Sequence, residues 1–295
     1  MEIPCWPVTR PLCFDDKSRF DRIFAELQPR ISELTFAGLY LFRRAHDYQI
    51  SRLDDSIVVL GKGYDGDRYC MLPLGGDVAG ASVKLLNSGI EIYGADDAFV
   101  SSCLAGSGFE IMEERDSFDY LYLREELAHL PGNRFHKKKN RINYFTVRHA
   151  YQVLELSTDG LAGCLELLDE WGRAAELEGN RSFALEVDAT VEALTQADVL
   201  GLKGVIVEVD RKVRAFAVGE RLNSDTAVCH FEKADHFMEG LSQLVNREFC
   251  RQLFADCRYI NREQDLGEPG LRNAKLSYHP VELVKKYRIV GRCPS

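Results

Sequence analysis

Two stretches of the 295-residue chain concentrate side chains able to bind and transform a polar ligand. Residues 231–240 read FEKADHFMEG and carry Lys233, Asp235 and His236 close together. Residues 259–280 read YINREQDLGEPGLRNAKLSYHP and place Asn261, Arg262, Glu263, Asp265, Arg272, Lys275 and Tyr278 around Gly267 and Gly270. Mixed charges at this density suit a ligand of both signs: carboxylates hold an ammonium, and Arg with Lys hold a phosphate or carboxylate. The plainer alternative is a capped loop whose exposed ion pairs contribute little.

A third stretch is purely basic. Arg134, Lys137, Lys138, Lys139, Arg141 and Arg148 fall within residues 134–148 without one acid, and His136 and His149 accompany them. Such a segment is either a solvated helix face or a surface for a polyanion, an RNA backbone or an anionic headgroup, bound in a salt-sensitive way. Two glycine motifs carry less. Gly61-Lys-Gly63-Tyr-Asp-Gly66 matches GxGxxG, but a strand pattern follows it, so it reads as a hairpin turn rather than a nucleotide loop. Leu74-Gly-Gly-Asp77-Val-Ala-Gly80 lies between a strand and a helix pattern, where Asp77 suits an N-cap and would repel an anion.

The elements that must position these residues follow from apolar spacing. Phe20, Ile23, Phe24 and Leu27 predict a helix capped by Asp15 or Asp16 and ended by Pro29; Leu34–Arg44 predicts a second. Tyr48–Leu53, Ser56–Lys62 and Arg68–Leu74 alternate as strands, Val78–Leu86 as a helix, Ile90–Tyr93 as a strand and Ala95–Leu104 as a helix. Phe109–Glu113 and Tyr120–Leu123 are strands, and the basic segment is a helix after the LPG turn. The order then begins again: helices over 159–177 and 189–200, strands over 204–209, 213–221 and 227–231, and a helix over 239–253. This weak internal repetition predicts an α/β (α+β) class and two domains, 1–147 and 148–295, with the active site in the second.

Composition bounds the rest. There are 37 Lys plus Arg against 46 Asp plus Glu, giving a net charge of −9 that excludes a general nucleic-acid coat but not one basic patch. Nine cysteines, an odd number without a CxxC pair, argue against a disulfide framework and a thiolate zinc site. His46, His129, His149, His230 and His279 are scattered, and no metal site is expected. Without a signal pattern or an apolar run of membrane-spanning length, the expected location is the cytoplasm.

The motifs NREQDLGxxGLRxxKLSYxP, FxKADHF and LPGNRFHKKKNRINYF resemble, over nearly the whole chain, a bacterial family of unknown function related to the C-terminal domain of phosphatidylglycerol lysyltransferases. The resemblance implies two tandem GNAT-like acyltransferase domains, each a mixed, mostly antiparallel sheet flanked by helices. More distantly it extends to the Fem-type aminoacyltransferases, which use aminoacyl-tRNA. Two departures matter. The lysyltransferases carry a multi-helix membrane portion, and no comparable apolar run occurs here, which bears on a phospholipid acceptor. Acetyl-CoA-binding GNAT proteins carry a Q/RxxGxG/A loop; here only Gly240 matches it, and Glu232, Asp235 and Glu239 would repel a pyrophosphate.

The resemblance therefore implies an aminoacyl-tRNA-dependent transferase acting on an amine or hydroxyl. Lys233, Asp235 and His236 are expected beside the donor, with His236 as general base because a histidine ordinarily titrates near neutrality. Asn261, Glu263 and Asp265 would orient the acceptor or the donor's α-amino group. Arg272 and Lys275 would neutralise phosphate, and Tyr278 would protonate the leaving group. Arg134, His136, Lys137, Lys138, Lys139 and Arg141 would hold a polyanion such as tRNA. The alternatives are an acyl-CoA-dependent N-acyltransferase and a noncatalytic tRNA- or RNA-binding protein on a degenerate GNAT scaffold. The only cofactor-like molecule implied is the donor itself.

Overall fold

The alternating runs become strands and the 3.6-period runs become helices. The computed structural model describes residues 2–63, 66–104, 108–178 and 181–291. The first sheet contains β1 (Arg10–Pro11), β2 (Gln49–Leu53), β3 (Ser56–Lys62), β4 (Arg68–Met71), β5 (Glu91–Ala95) and β6 (Glu110–Glu113). The second contains β7 (Asp119–Leu123), β8 (Tyr151–Glu155), β9 (Lys203–Val209), β10 (Lys212–Arg221), β11 (Thr226–Ala234), β12 (Tyr259–Asn261) and β13 (Glu282–Val284). The last strand, β14 (Tyr287–Val290), returns to the first sheet. The helices are α1 (Lys17–Leu27), α2 (Phe36–Phe42), α3 (Val78–Asn87), α4 (Asp97–Cys103), α5 (Arg124–His129), α6 (His136–Thr146), α7 (Thr158–Glu178), α8 (Arg181–Thr195), α9 (Ala197–Leu200), α10 (Leu241–Gln252) and α11 (Pro269–Leu276).

The repeated order is present in both sheets. In the first, β2, β3 and β4 are antiparallel, α3 follows, and β5 returns parallel to β4 with Tyr69 opposite Glu91. In the second, β9, β10 and β11 are antiparallel, α10 follows, and β12 returns parallel to β11 with Thr226 opposite Tyr259. The strand orders are β1-β2-β3-β4-β5-β14-β6 and β8-β9-β10-β11-β12-β7-β13. The sixth strand of each thus comes from the other half of the chain.

This exchange moves the domain division. The compact units are residues up to Asp119 with Gln264–Pro269 and the chain from Leu283, and Tyr120–Glu263 with Gly270–Glu282. The division expected near residue 148 therefore falls inside the second unit. The reason is that β7 pairs with β12, Ile260 opposite Tyr122, while β6 pairs with β14, Ile111 opposite Ile289. Locally β6 and β7 look like partners; the pairing energy comes from residues more than a hundred positions away.

In the second unit α10 covers the sheet with Leu241, Leu244, Val245, Phe249 and Cys250, all buried at an amphipathic spacing. Each such large side chain contributes about 1.5–3 kcal/mol on burial. Gly240 caps this helix at φ 94°, and a Cβ there would lie 2.0 Å from the Arg141 carbonyl oxygen, so α6 and α10 approach closely only because residue 240 is glycine. In the first unit the GxGxxG motif joins the antiparallel pair β3 and β4, as a hairpin should; Tyr64 and Asp65 lie outside the described residues. Asp77 accepts a 2.9 Å bond from the Gly80 amide and caps α3. The first unit also buries a charge: the Lys286 ammonium has no exposure and donates to Glu33 at 2.6 and 2.7 Å and to Asp119 at 2.7 Å.

The expected helix over 189–200 is two, α8 and α9, with Gln196 between them. Strand β8 and the short helix α5 were not expected; YQVLE is too mixed, and REELAH too short, to register by period. Among the described cysteines none is in a disulfide, and burial pushes the Cys70, Cys164 and Cys250 thiols up to about 12, which keeps them protonated. Among the described residues no cluster of His, Cys, Asp or Glu could hold a metal ion, and no helix is long and apolar enough to cross a membrane.

Candidate functional site

Strands β11 and β12 pair only from Thr226–Tyr259 to Val228–Asn261. Beyond that, β11 continues along β10 to Ala234, while the chain after Asn261 follows β7: the Arg262 amide donates to the Tyr120 carbonyl at 3.0 Å. The two parallel strands thus part at their carboxyl ends, the place where open α/β sheets bind ligands. Side chains from β7, α6, β11, α10 and the segments after β12 and α11 meet there.

Arg262 is the centre. Its Nη2 donates to Glu232 Oε2 at 3.0 Å, and its guanidinium lies 4.9 Å from the Tyr278 ring and 5.8 Å from that of Tyr122. Asn246, a buried polar residue of α10, donates to the same Glu232 oxygen at 2.9 Å. Two atoms of this cluster, Arg262 Nη1 and Asn246 Oδ1, are buried and have no hydrogen-bond partner among the described residues. Each such atom costs about 1–3 kcal/mol, so a matched donor and acceptor left over in one cluster calls for an explanation.

Lys138, from α6, donates to Ser277 Oγ at 2.6 Å and lies 3.9 Å from the Tyr278 ring centroid. Burial, then the nearby Arg262 and Arg141 guanidiniums, lower its ammonium to about 8, against a smaller opposing pull from Glu232. Burial raises the Tyr278 and Tyr122 phenols well above their ordinary range despite Arg262. Next to the cluster, His230 is bracketed by two carboxylates, Glu263 at 2.8 Å from Nδ1 and Glu220 at 3.0 Å from Nε2. Burial disfavours its charged form, but hydrogen bonds to Glu220 and Glu263 outweigh burial and hold the imidazolium up to about 10.

A group raised from 6.5 to about 10 contributes stability fully below pH 6.5 and loses it as pH rises through about 10. Lys138, lowered to about 8, acts in the opposite sense above pH 8, which leaves 6.5 to 8 as the clean window. There, urea unfolding of the wild type should weaken with pH by up to about 1.4 kcal/mol per unit relative to His230→Gln. Equal slopes for the two proteins would refute the bracketed imidazolium.

The expected site residues separate into three groups. Asn261, Glu263, Lys275, Tyr278 and Lys138 share the neighbourhood just described. Asn261 is fully buried and its Oδ1 accepts from the Glu263 amide at 2.8 Å, so it shapes the turn. Lys275 is 8% exposed and its ammonium donates to the Arg262 and Glu263 carbonyls; it fastens the chain after β12 and is not placed to neutralise a phosphate. Arg272 is half-buried on α11.

Lys233, Asp235 and His236 lie elsewhere. Lys233 is buried against the Trp171 ring and paired to Glu186 at 2.6 Å. Asp235 pairs with Arg214 at 3.1 Å and accepts from the Phe237 amide at 3.0 Å. The His236 ring is exposed, with its centroid 3.9 Å from that of Phe237, and lies on an aromatic neighbour rather than against a carboxylate that would orient a base. Asp265 belongs to the first unit, fully buried and paired with Arg115 at 3.2 Å. Of the basic residues, Arg134 pairs with Glu126, His136 Nδ1 lies 2.7 Å from the Asn133 carbonyl, and Lys139 donates to the Gly132 carbonyl at 3.1 Å. Lys137 and Arg141 are exposed, with Arg141 4.0 Å from Glu239.

The residues missed as a site are Glu232, Asn246 and His230, and Arg262 was noted only among its neighbours. One signal was available: Asn246 is a polar residue set among Leu244, Val245 and Phe249 on a face that must be buried.

A family model for the C-terminal part of phosphatidylglycerol lysyltransferase matches residues 24–290. A conserved protein of unknown function from Bacteroides thetaiotaomicron VPI-5482 is 31% identical, with a TM-score of 0.88 over 96% of this chain and 99% of that one. L-PGS from Bacillus licheniformis superposes with a TM-score of 0.64 at 14% identity, over 100% of this chain and 95% of that one. FemX superposes with a TM-score of 0.57 at 10% identity, over 95% and 96%. At these identities the last two share the fold, a tandem GNAT-like arrangement. Among proteins of curated function, none matches the chain.

Proposed function

This chain belongs to the family of phosphatidylglycerol lysyltransferase C-terminal domains, and from that premise we propose that it moves an aminoacyl group from an aminoacyl-tRNA to an amine or hydroxyl, with the opening between β11 and β12 as the donor site. Family membership carries the coarser statement, an acyl- or aminoacyl-transferring enzyme. The finer one rests on the orphan pair at Arg262 and Asn246. An aminoacyl ester offers a carbonyl oxygen, an acceptor for Arg262 Nη1, beside an α-ammonium, a donor for Asn246 Oδ1 and the Glu232 carboxylate. An acetyl group has no ammonium and leaves the Asn246 oxygen unmet. The start of α10 also argues against the usual pyrophosphate position, because the Arg141 carbonyl and Glu239 stand there.

The chemistry follows from these groups. The acceptor's nitrogen or oxygen attacks the ester carbonyl carbon and the bond forms as its proton passes to neutral Lys138, whose pKa of about 8 suits that task. Arg262 Nη1 stabilises the developing oxyanion. The ester C–O bond then breaks, and Lys138 returns the proton to the departing ribose oxygen. Tyr278 holds its proton too tightly to be the acid; it frames the site between Lys138 and Arg262.

The test supplies tRNA charged with labelled amino acids together with a bacterial extract of lipids and peptidoglycan precursors. Label should move from tRNA into an acceptor only with the protein present, at a rate that rises with pH through an inflection near 8 to a plateau above it. Lys138→Arg, which keeps the charge but not the accessible neutral form, should lose that plateau. Label that stays on tRNA while acetyl-CoA is consumed would overturn the proposal.

A further inference from the structure

On the same unit, one helical stripe of α6 and the turn that follows presents Lys137, Arg141, Tyr144 and Arg148 at spacings of four, seven and eleven residues, all exposed. A helix rise of about 1.5 Å per residue puts the first two cations about 6 Å apart, near the spacing of successive phosphates in a single strand. The Arg148 guanidinium lies 3.5 Å from the Tyr144 ring centroid, which holds it in place at the end of the stripe.

Beside this stripe is the turn before α10. Gly240 touches the Arg141 carbonyl and Glu239 lies 4.0 Å from Arg141. Three residues earlier, Phe237 is 86% exposed, the most exposed large hydrophobic side chain among the described residues. Its Cα lies within about 11 Å of that of Gly240 by chain length alone. It is not a loose side chain: Asp235 fixes its amide at 3.0 Å, and its ring is joined to the His236 ring at 3.9 Å, which is in turn 6.1 Å from Trp171. The row Trp171–His236–Phe237 ends in a free aromatic face next to a line of cations.

We propose that His236 and Phe237 form a stacking platform for an unpaired base of an RNA whose phosphates lie along Lys137, Arg141 and Arg148. This rests on the aminoacyl-tRNA reading, and names the surface that would receive the single-stranded end of that RNA. A π-face accepts any base, and positive side chains track the backbone, which is the pairing single strands require. A membrane surface is the poorer fit. Interfacial binding needs a broad apolar face, whereas Phe237 stands between Asp235 and Glu239, and the only aromatic of the stripe lies under Arg148.

The experiment measures binding of a transcribed tRNA, intact or trimmed of its unpaired 3′ end, to the wild type, Phe237→Ala, Phe237→Trp and a Lys137, Arg141, Arg148 triple alanine variant. Phe237→Ala should weaken the intact tRNA about 5- to 100-fold, leave the trimmed one unchanged, and be rescued by Trp. The triple variant should weaken both and lower the salt slope by about 2–3. Phe237→Ala binding both RNAs as the wild type does, while aminoacyl transfer persists, would overturn the platform and leave the donor assignment standing. A wild type that ignores tRNA but binds vesicles of anionic phospholipid would overturn both.

Discussion

Arg262→Lys should lower the transfer rate constant by about 10²- to 10³-fold while the protein stays folded, because it keeps a cation against Glu232 and removes the orphan Nη1 donor. The effect should fall on kcat, since that donor meets the carbonyl oxygen most strongly when it carries charge. Arg262→Ala is the less informative change. It leaves the half-buried Glu232 with Asn246 as its partner, and loses fold stability along with activity. Glu232→Gln provides the contrast: it weakens the hold on the α-ammonium and raises KM for the charged tRNA. It also removes the carboxylate that pulls the Lys138 ammonium upward, so the rate inflection should move below about 8. An Arg262→Lys enzyme with wild-type kcat would reject the oxyanion role.

The largest stability effect is expected far from that site. Lys286→Met leaves the half-buried Glu33 and the buried Asp119 without their cation, and breaking such a cluster costs about 3–5 kcal/mol. Ser32 still donates to Asp119, at 2.7 Å from its amide and 3.0 Å from its hydroxyl, and Tyr93 to Glu33 at 3.0 Å. Hydrogen bonds alone do not replace a charge in the interior. The loss should depend on pH. Burial foremost, with Asp119, already raises the Glu33 carboxyl, opposed by Lys286. Without the lysine the Glu33 carboxyl favours its neutral form more strongly, so the gap between variant and wild type should shrink as pH falls toward the carboxylate range. Adding Glu33→Gln to Lys286→Met should recover part of the loss at neutral pH. A single variant as stable as the wild type in urea would mean the triad carries no net stabilisation.

How far the site was legible turns on parity in one strand. FEKADHF attracted notice for Lys233, yet successive side chains of a strand face opposite ways. Glu232 and His230 point to Asn246, Arg262 and Glu263, whereas Lys233 points to Trp171 and Glu186. The sequence shows the crowding and not which side of it faces the opening. Lys275 and Asp265 illustrate a second limit. Both sit in the chemistry-rich stretch, but one donates to the carbonyls of Arg262 and Glu263 and the other is buried on Arg115, a difference set by a long reach across the fold. Lys138 was legible as a charge only; its ammonium is lowered by burial first and then by Arg262, distant in sequence. The helices and hairpins were readable because their periods are local. The division of the chain was not, because β7 and β14 are matched to remote partners.

That exchange of strands has a consequence in time. As the chain emerges from the ribosome, the first sheet has β1 to β6 but lacks the strand that separates β5 from β6 until residues 287–290 arrive. The two acids Glu33 and Asp119 likewise wait for Lys286. Vectorial synthesis cannot finish the first half before the second, so the first sheet must close late.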